Sequence, residues 1–203
     1  RKTHVPYVIY DSSLLNETTR RKHLASDMVM ALEHNALELY YQPIVNLESG
    51  RCEAVEALLR WRHPELGFIP PNEVIQVAEE FQLAEKLGSW VLNTACEQLH
   101  QWQHLGLVDL QMCVNISPGM YQRNLLKLVA KALMEHHIPA SCLVLEVTED
   151  TTMREVKNSL QLMQDLSQQG VHLALDDFGT GYSSLSYLQK LPVSKVKIDR
   201  SFI

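Results

Sequence analysis

Long apolar runs, cysteine motifs and an excess of positive charge are all missing from this 203-residue sequence. No run approaches the roughly 18 apolar residues that a membrane helix needs, and the first residues lack a signal peptide's apolar stretch. Membrane contact by this segment and secretion are therefore not expected. The expected compartment is the cytoplasm, with any membrane anchor lying elsewhere in a parent protein. Cys52, Cys96, Cys113 and Cys142 show no CxxC spacing, which argues against zinc. Three of them sit in apolar, strand-like runs, so buried free thiols are expected. Lys and Arg total 18 against 24 Asp and Glu, for a net charge of −6. General tracking of a nucleic-acid polymer is thereby disfavoured, although a local cationic pocket is compatible with this balance. With 8 Gly, 8 Pro and 46% hydrophobic residues, the composition is that of a globular chain. The length allows one large domain or two small ones. It opens Arg1-Lys2-Thr3-His4 without a Met, and is expected to be cut from something longer.

What is present is an alternation of strand-like and helix-like segments. Arg1 to Leu15 has no clear period and reads as a linker or extended arm. Arg20 to Glu33 reads as a helix, with Leu24, Met28 and Leu32 one turn apart. Strands are expected at Leu39 to Val45, Glu53 to Trp61, Leu110 to Ile116, Leu143 to Thr148, Val171 to Asp176 and Ser194 to Ile198. Within the second strand Val55, Ala57 and Leu59 alternate with Glu56, Leu58 and Arg60. A Pro/Gly loop spans His63 to Pro71, and Asn72 is placed to cap a short helix. Longer helices are expected over Ala84 to His104, Gln122 to His137 and Glu155 to Gln169. A Gly/Ser loop and a short helix through Lys190 follow the fifth strand. Helix-separated strands imply parallel pairing, as a doubly wound open sheet or a (β/α)8 barrel. No GxGxxG follows the first strand, which weakens the dinucleotide-binding form of the open sheet.

Unusual polar residues recur in these apolar strands. Glu56, Asn115, Glu146, the pair Asp176-Asp177 and Lys197 each lie within or at the end of an apolar run. Four carboxylates buried together without cations would be prohibitive. A convergent site at the C-terminal face of a barrel resolves this, because strand-end residues meet there. Carboxylates with an amide oxygen are hard ligands suited to Mg²⁺ or Mn²⁺, and the double Asp suits two ions sharing one carboxylate. Lys197 is then a cation placed to orient an anionic nucleophile or substrate, and the pattern fits phosphoester hydrolysis best. A glycosidase also pairs carboxylates, but needs neither the Asn, the double Asp nor the Lys. Arg60 shares a strand face with Glu56 and could meet a phosphate bidentately. His100 and His104 lie one turn apart without the HExxH glutamate, and read as exposed or partly packed side chains. Trp61, Trp90 and Trp102 read as core.

Six blocks occur in order: Gln42-Pro43-Ile44-Val45, Glu56-Ala57-Leu58-Leu59-Arg60-Trp61, Asn115-Ile116-Ser117, Glu146-Val147-Thr148-Glu149, Asp176 to Ser184, and Lys197-Ile198-Asp199-Arg200-Ser201-Phe202. Together they resemble the EAL domain of bacterial cyclic-di-GMP phosphodiesterases. The resemblance implies a modified TIM barrel that hydrolyses cyclic di-GMP to linear pGpG, lowering this second messenger in biofilm and motility signalling. By motif, Glu56, Asn115, Glu146 and Asp176 would ligate a first Mg²⁺ or Mn²⁺. Asp176 would bridge to a second, held also by Asp177. Lys197 would contact the attacking water. Gln42, Leu59, Arg60 and Asp199 would contact the dinucleotide, and Glu149 would anchor the Asp177 to Ser184 loop. The leading residues 1–35 resemble a connector from an upstream GGDEF or sensory domain, with the EAL domain over 36–203. The family also implies a homodimer. One departure is that the family barrel continues through two further βα units, so a barrel truncated after the sixth strand is expected here. The alternative function is a receptor that binds cyclic di-GMP without cleaving it.

Overall fold

A computed structural model of the chain describes residues 12–34, 36–121, 124–154, 156–179 and 188–202. Helix α1 (Ser12–Glu33) starts earlier than its apolar period does. Residues 17–20 are exposed and the buried stripe is first seen at Leu24, and residues 12–15 are helical rather than an extended arm. The rest of that arm lies outside the described residues. Strands β1 (Leu37–Val45) and β2 (Cys52–His63) form an antiparallel hairpin. The parallel pairing expected of helix-separated strands does not extend to these two, because residues 46–51 are too few for a crossover. The turn is closed locally: the Asn46 side-chain oxygen accepts the Glu48 and Ser49 N–H groups, both at 2.9 Å.

The expected Pro/Gly loop holds a short strand, β3 (Gly67–Ile69), which extends the far end of β2. Helix α2 (Pro71–Glu80) begins with Pro71 in its first turn and Pro70 at the cap position, so Asn72 does not cap it. A proline fits there because the first-turn N–H groups have no intrahelical acceptor. The remaining units are α3 (Ala84–His104), β4 (Gln111–Ile116), α4 (Leu125–Glu135), β5 (Leu143–Thr148), α5 (Glu149–Arg154), α6 (Val156–Gln168), β6 (His172–Phe178) and β7 (Lys195–Ile198). The polar segment α5 was not expected as a helix; Thr148 supports its start by accepting the Thr151 N–H at 3.3 Å. The short helix expected through Lys190 lies largely in residues 180–187, outside the described residues.

The strands run β1-β2-β4-β5-β6-β7 across one sheet, parallel from β2 onward. Val55, Ala57, Val114, Leu145, Val147, Leu173 and Leu175 share one face and pack with Leu92, Leu99, Val129 and Leu166 of α3, α4 and α6. Trp61, on that same face, meets Leu24 and Met28 of α1 and Val74 and Val77 of α2. The packed helices therefore lie on a single face, which separates the barrel-type α/β fold from the doubly wound sheet. The tryptophans follow: Trp61 is fully buried, while Trp90 and Trp102 pack at the core margin. Polar contacts reinforce α1. Arg20 pairs with Glu73, Arg21 with Glu80 at 3.3 Å, and Asp27 with the buried His63 at 3.1 Å. All four cysteines are free. Cys96, Cys113 and Cys142 are buried, Cys96 in the expected helix α3; Cys52 is exposed at the start of β2, which corrects the expectation of burial for it.

Candidate active site

The face turned away from the helices carries the polar residues, and register shows why. Gln42 pairs with Glu56 across the hairpin, Glu56 with Cys113, Asn115 with Glu146, Glu146 with Ala174, and Ala174 with Lys195. Side chains alternate along each strand, so Gln42, Glu56, Asn115, Glu146, Asp176 and Lys197 all stand on that face. Beneath them Ala54, Cys113, Val144 and Ala174 form a small buried layer. Cys113 is apolar filling there; burial first, then the Glu146 charge, pushes its thiol up to about 12.

Lys197 sits at the centre. Its ammonium donates to Glu146 Oε2 at 2.6 Å, and to Glu56 Oε2 and Asp176 Oδ2, both at 3.2 Å. Asn115 Nδ2 donates to the other Glu56 oxygen at 2.8 Å, and the Asp177 N–H to Asp176 Oδ1 at 3.0 Å. Glu146 is 2% exposed against 18% for Glu56 and for Asp176, so it alone is fully desolvated. Burial pushes its carboxyl above the usual range; Lys197 opposes that rise, and Glu56 and Asp176 add to it. For Lys197 burial disfavours the charge, but hydrogen bonding to Glu146 and the three carboxylate charges outweigh it and raise its pKa. The lysine is thus a fixed cation.

Asp176 and Asp177 are neighbours that a regular strand would aim at opposite faces. Asp177 instead has φ +53°, and the β6–β7 register shifts between Leu175 and Phe178. This break keeps Asp177 within electrostatic reach of Asp176, Asp199, Lys197 and Glu56. Its carboxyl is raised, by partial burial first and then by Asp176 and Asp199. Glu149 is buried, and its Oε2 accepts the Gly179 N–H at 3.2 Å. Gly179 has φ +102°, and a Cβ there would lie 2.8 Å from the Phe202 ring, so glycine is required. The loop's residues 180–184 lie outside the described residues. Asp199 follows β7 and accepts the Ser201 N–H at 2.8 Å.

The structure therefore brings together Glu56, Asn115, Glu146, Asp176 and Lys197, with Asp177 beside them and Gln42 and Arg60 on the same face. It does not bring Leu59 there: Leu59 is on the opposite face, against the α1–α2 core. Leu58 occupies the site face, as the alternation along β2 already requires. Tyr40, which the sequence does not single out, stands there too. It shares the parity of Gln42, is half exposed, and lies under the Arg60 guanidinium at 5.5 Å from its ring centre.

Among the described residues, no three His, Cys, Asp or Glu side chains are arranged as a metal cage. The carboxylates close on the Lys197 ammonium instead. The donor set nevertheless fits a hard divalent cation, because three carboxylates already converge on one positive charge and an amide stands beside them.

A family model for the EAL domain matches residues 25–203. The chain is 43% identical over 198 residues to the bifunctional diguanylate cyclase/cyclic di-GMP phosphodiesterase MucR of Pseudomonas aeruginosa, covering 97% of this chain and 29% of MucR. It is 39% identical over 195 residues to the cyclic di-GMP phosphodiesterase NbdA of the same organism, covering 96% of this chain and 25% of NbdA. The chain thus spans less than a third of these curated relatives. The fold resembles the MucR phosphodiesterase in complex with c-di-GMP, with TM-score 0.84, 45% identity, and 89% and 73% of the two chains covered. It also resembles the Pseudomonas aeruginosa FimX EAL domain bound to c-di-GMP, with TM-score 0.79, 29% identity, and coverage of 88% and 72%.

Proposed function

The chain belongs to the EAL domain family, and from that membership and the strand-end cluster we propose that it carries a metal-dependent phosphodiesterase site opening cyclic di-GMP to pGpG. The observation that carries this reading is the convergence of Glu56, Glu146 and Asp176 on one cation position, within 3.2 Å of Lys197 Nζ. The names of MucR and NbdA support cyclic di-GMP as the substrate. Glu56, Asn115, Glu146 and Asp176 would hold a first Mg²⁺ or Mn²⁺, and Asp176 with Asp177 a second. When bound, such ions supply Lewis-acid stabilisation of charge developing at phosphorus and lower the pKa of water.

The chain's own residues supply the rest. Lys197, cationic at any working pH, orients the attacking water and offsets negative charge on the phosphoryl oxygens. Arg60 takes a phosphate through its guanidinium fork, held over Tyr40. Gln42 and Asp199 offer polar contacts to the nucleotide, and Leu58, in place of Leu59, an apolar one. Glu149 fixes the loop that starts at Gly179. An upstream cyclase or sensory domain belongs to the same proposal, supported by the bifunctional MucR. A homodimer rests on the family resemblance.

The test is Glu146→Gln. It keeps the shape and one oxygen but removes the charge, so turnover of cyclic di-GMP should fall at least 100-fold while the fold persists. Undiminished turnover would remove Glu146 from the site, and binding without turnover by the unsubstituted parent would identify a receptor.

A further inference from the structure

His100 and His104 lie in the last turns of α3, at the end of the sheet away from the carboxylate cluster. On a helix, residues four apart face each other. Here the two Nε2 atoms are 3.0 Å apart, the rings are perpendicular, and their centroids are 4.4 Å apart. His104 is exposed and His100 half-buried, so an ion can reach the pair.

These two distances match one coordination geometry. With metal–nitrogen bonds of about 2.1 Å, two nitrogens bound at about 90° lie roughly 3.0 Å apart. The ring centres lie about 1.1 Å further out, so their separation at that angle is about 4.5 Å. An angle near 90° belongs to square-planar or octahedral cis positions rather than to tetrahedral zinc. Imidazole is also the ligand type that copper and nickel favour, with Cu²⁺ the tighter of the two. At this separation one Nε2–H can donate to the other ring, and a metal takes both Nε2 lone pairs when each ring carries its proton on Nδ1. The missing HExxH glutamate excludes a metalloprotease helix but not a chelate.

We propose that His100 and His104 form a bidentate surface site for a late first-row divalent ion, Cu²⁺ or Ni²⁺, with water completing the coordination. This site takes borderline-soft ions, whereas the carboxylate cluster takes hard ones, and it stands whether or not the phosphodiesterase reading does.

Titration of the untagged protein with CuCl2 and with NiCl2 tests it, with MgCl2 in excess as a competitor. One high-affinity equivalent of Cu²⁺ should bind undisturbed by Mg²⁺, and its electron paramagnetic resonance spectrum should show coupling to at least two nitrogens. His100→Ala or His104→Ala should weaken binding at least tenfold while thermal stability stays unchanged, and Glu146→Gln should leave it intact. Equal Cu²⁺ affinity in the His100→Ala/His104→Ala double variant, or a spectrum without nitrogen coupling, would overturn the proposal.

Discussion

At the residue scale, three carboxylates around one ammonium leave negative charge in excess, in a site where Glu146 is almost wholly buried. Removing the cation would strand them. Lys197→Met should therefore destabilise the metal-free protein by about 2–3 kcal/mol, toward the lower end for a broken buried ion pair because Lys197 itself is partly exposed. Urea unfolding in EDTA measures this, and an unchanged midpoint would show that Lys197 does not balance the cluster. Arg60→Ala should raise KM for cyclic di-GMP more than it lowers kcat, and Arg60→Lys should not restore it, since a point charge replaces a planar fork. Steady-state kinetics decide; equal losses in both variants' kcat with KM unchanged would take Arg60 out of substrate binding. These residues were legible because each interrupts an apolar run. The family motif puts Leu59 at the dinucleotide whereas alternation along β2 puts Leu58 on that face, and Tyr40 gives no signal because an aromatic residue in an edge strand is ordinary.

At the element scale, α1 is fastened to the sheet rather than trailing from it. Leu24 and Met28 have no exposure at all and lie in the core formed with Trp61 and α2. Met28→Ala should lower stability by about 2–5 kcal/mol, the usual range for a core methionine truncation. A loss below 0.5 kcal/mol in chemical denaturation would mean that α1 is not docked. Thiol chemistry reports on the same packing. Burial pushes the Cys96 and Cys113 thiols up to about 12, and Cys142 is raised by burial too, whereas Cys52 is exposed. At pH 8 the native protein should react with one equivalent of an aromatic disulfide reagent, and with four only after denaturation. More than one fast thiol would contradict the burial pattern. Helices such as α3 were readable from their apolar stripe. The start of α1 and the polar α5 are not, because residues 17–20 of α1 are exposed and the residues that α5 buries, Glu149, Thr151 and Thr152, are polar and give no apolar period.

At the scale of the whole molecule, one geometric fact links fold to chemistry. The packed helices cover one face of the sheet, so the other face is free to gather polar strand-end residues at a single place. The sequence left barrel and doubly wound sheet both open, since each alternates strands and helices. Side-chain parity across the register separates them. The antiparallel β1 is legible from length alone, because six residues cannot make a crossover. It sets Gln42 directly beside Glu56.

The central claim is that this face performs metal-dependent cleavage of a cyclic dinucleotide. The most direct measurement is chromatographic detection of pGpG from cyclic di-GMP by the full parent chain, with Mg²⁺ or Mn²⁺ and again after EDTA. The account predicts pGpG accumulation with either ion and none after chelation, with recovery on adding the ion back. Turnover that persists in EDTA, or binding of cyclic di-GMP with no pGpG under any ion, would contradict it.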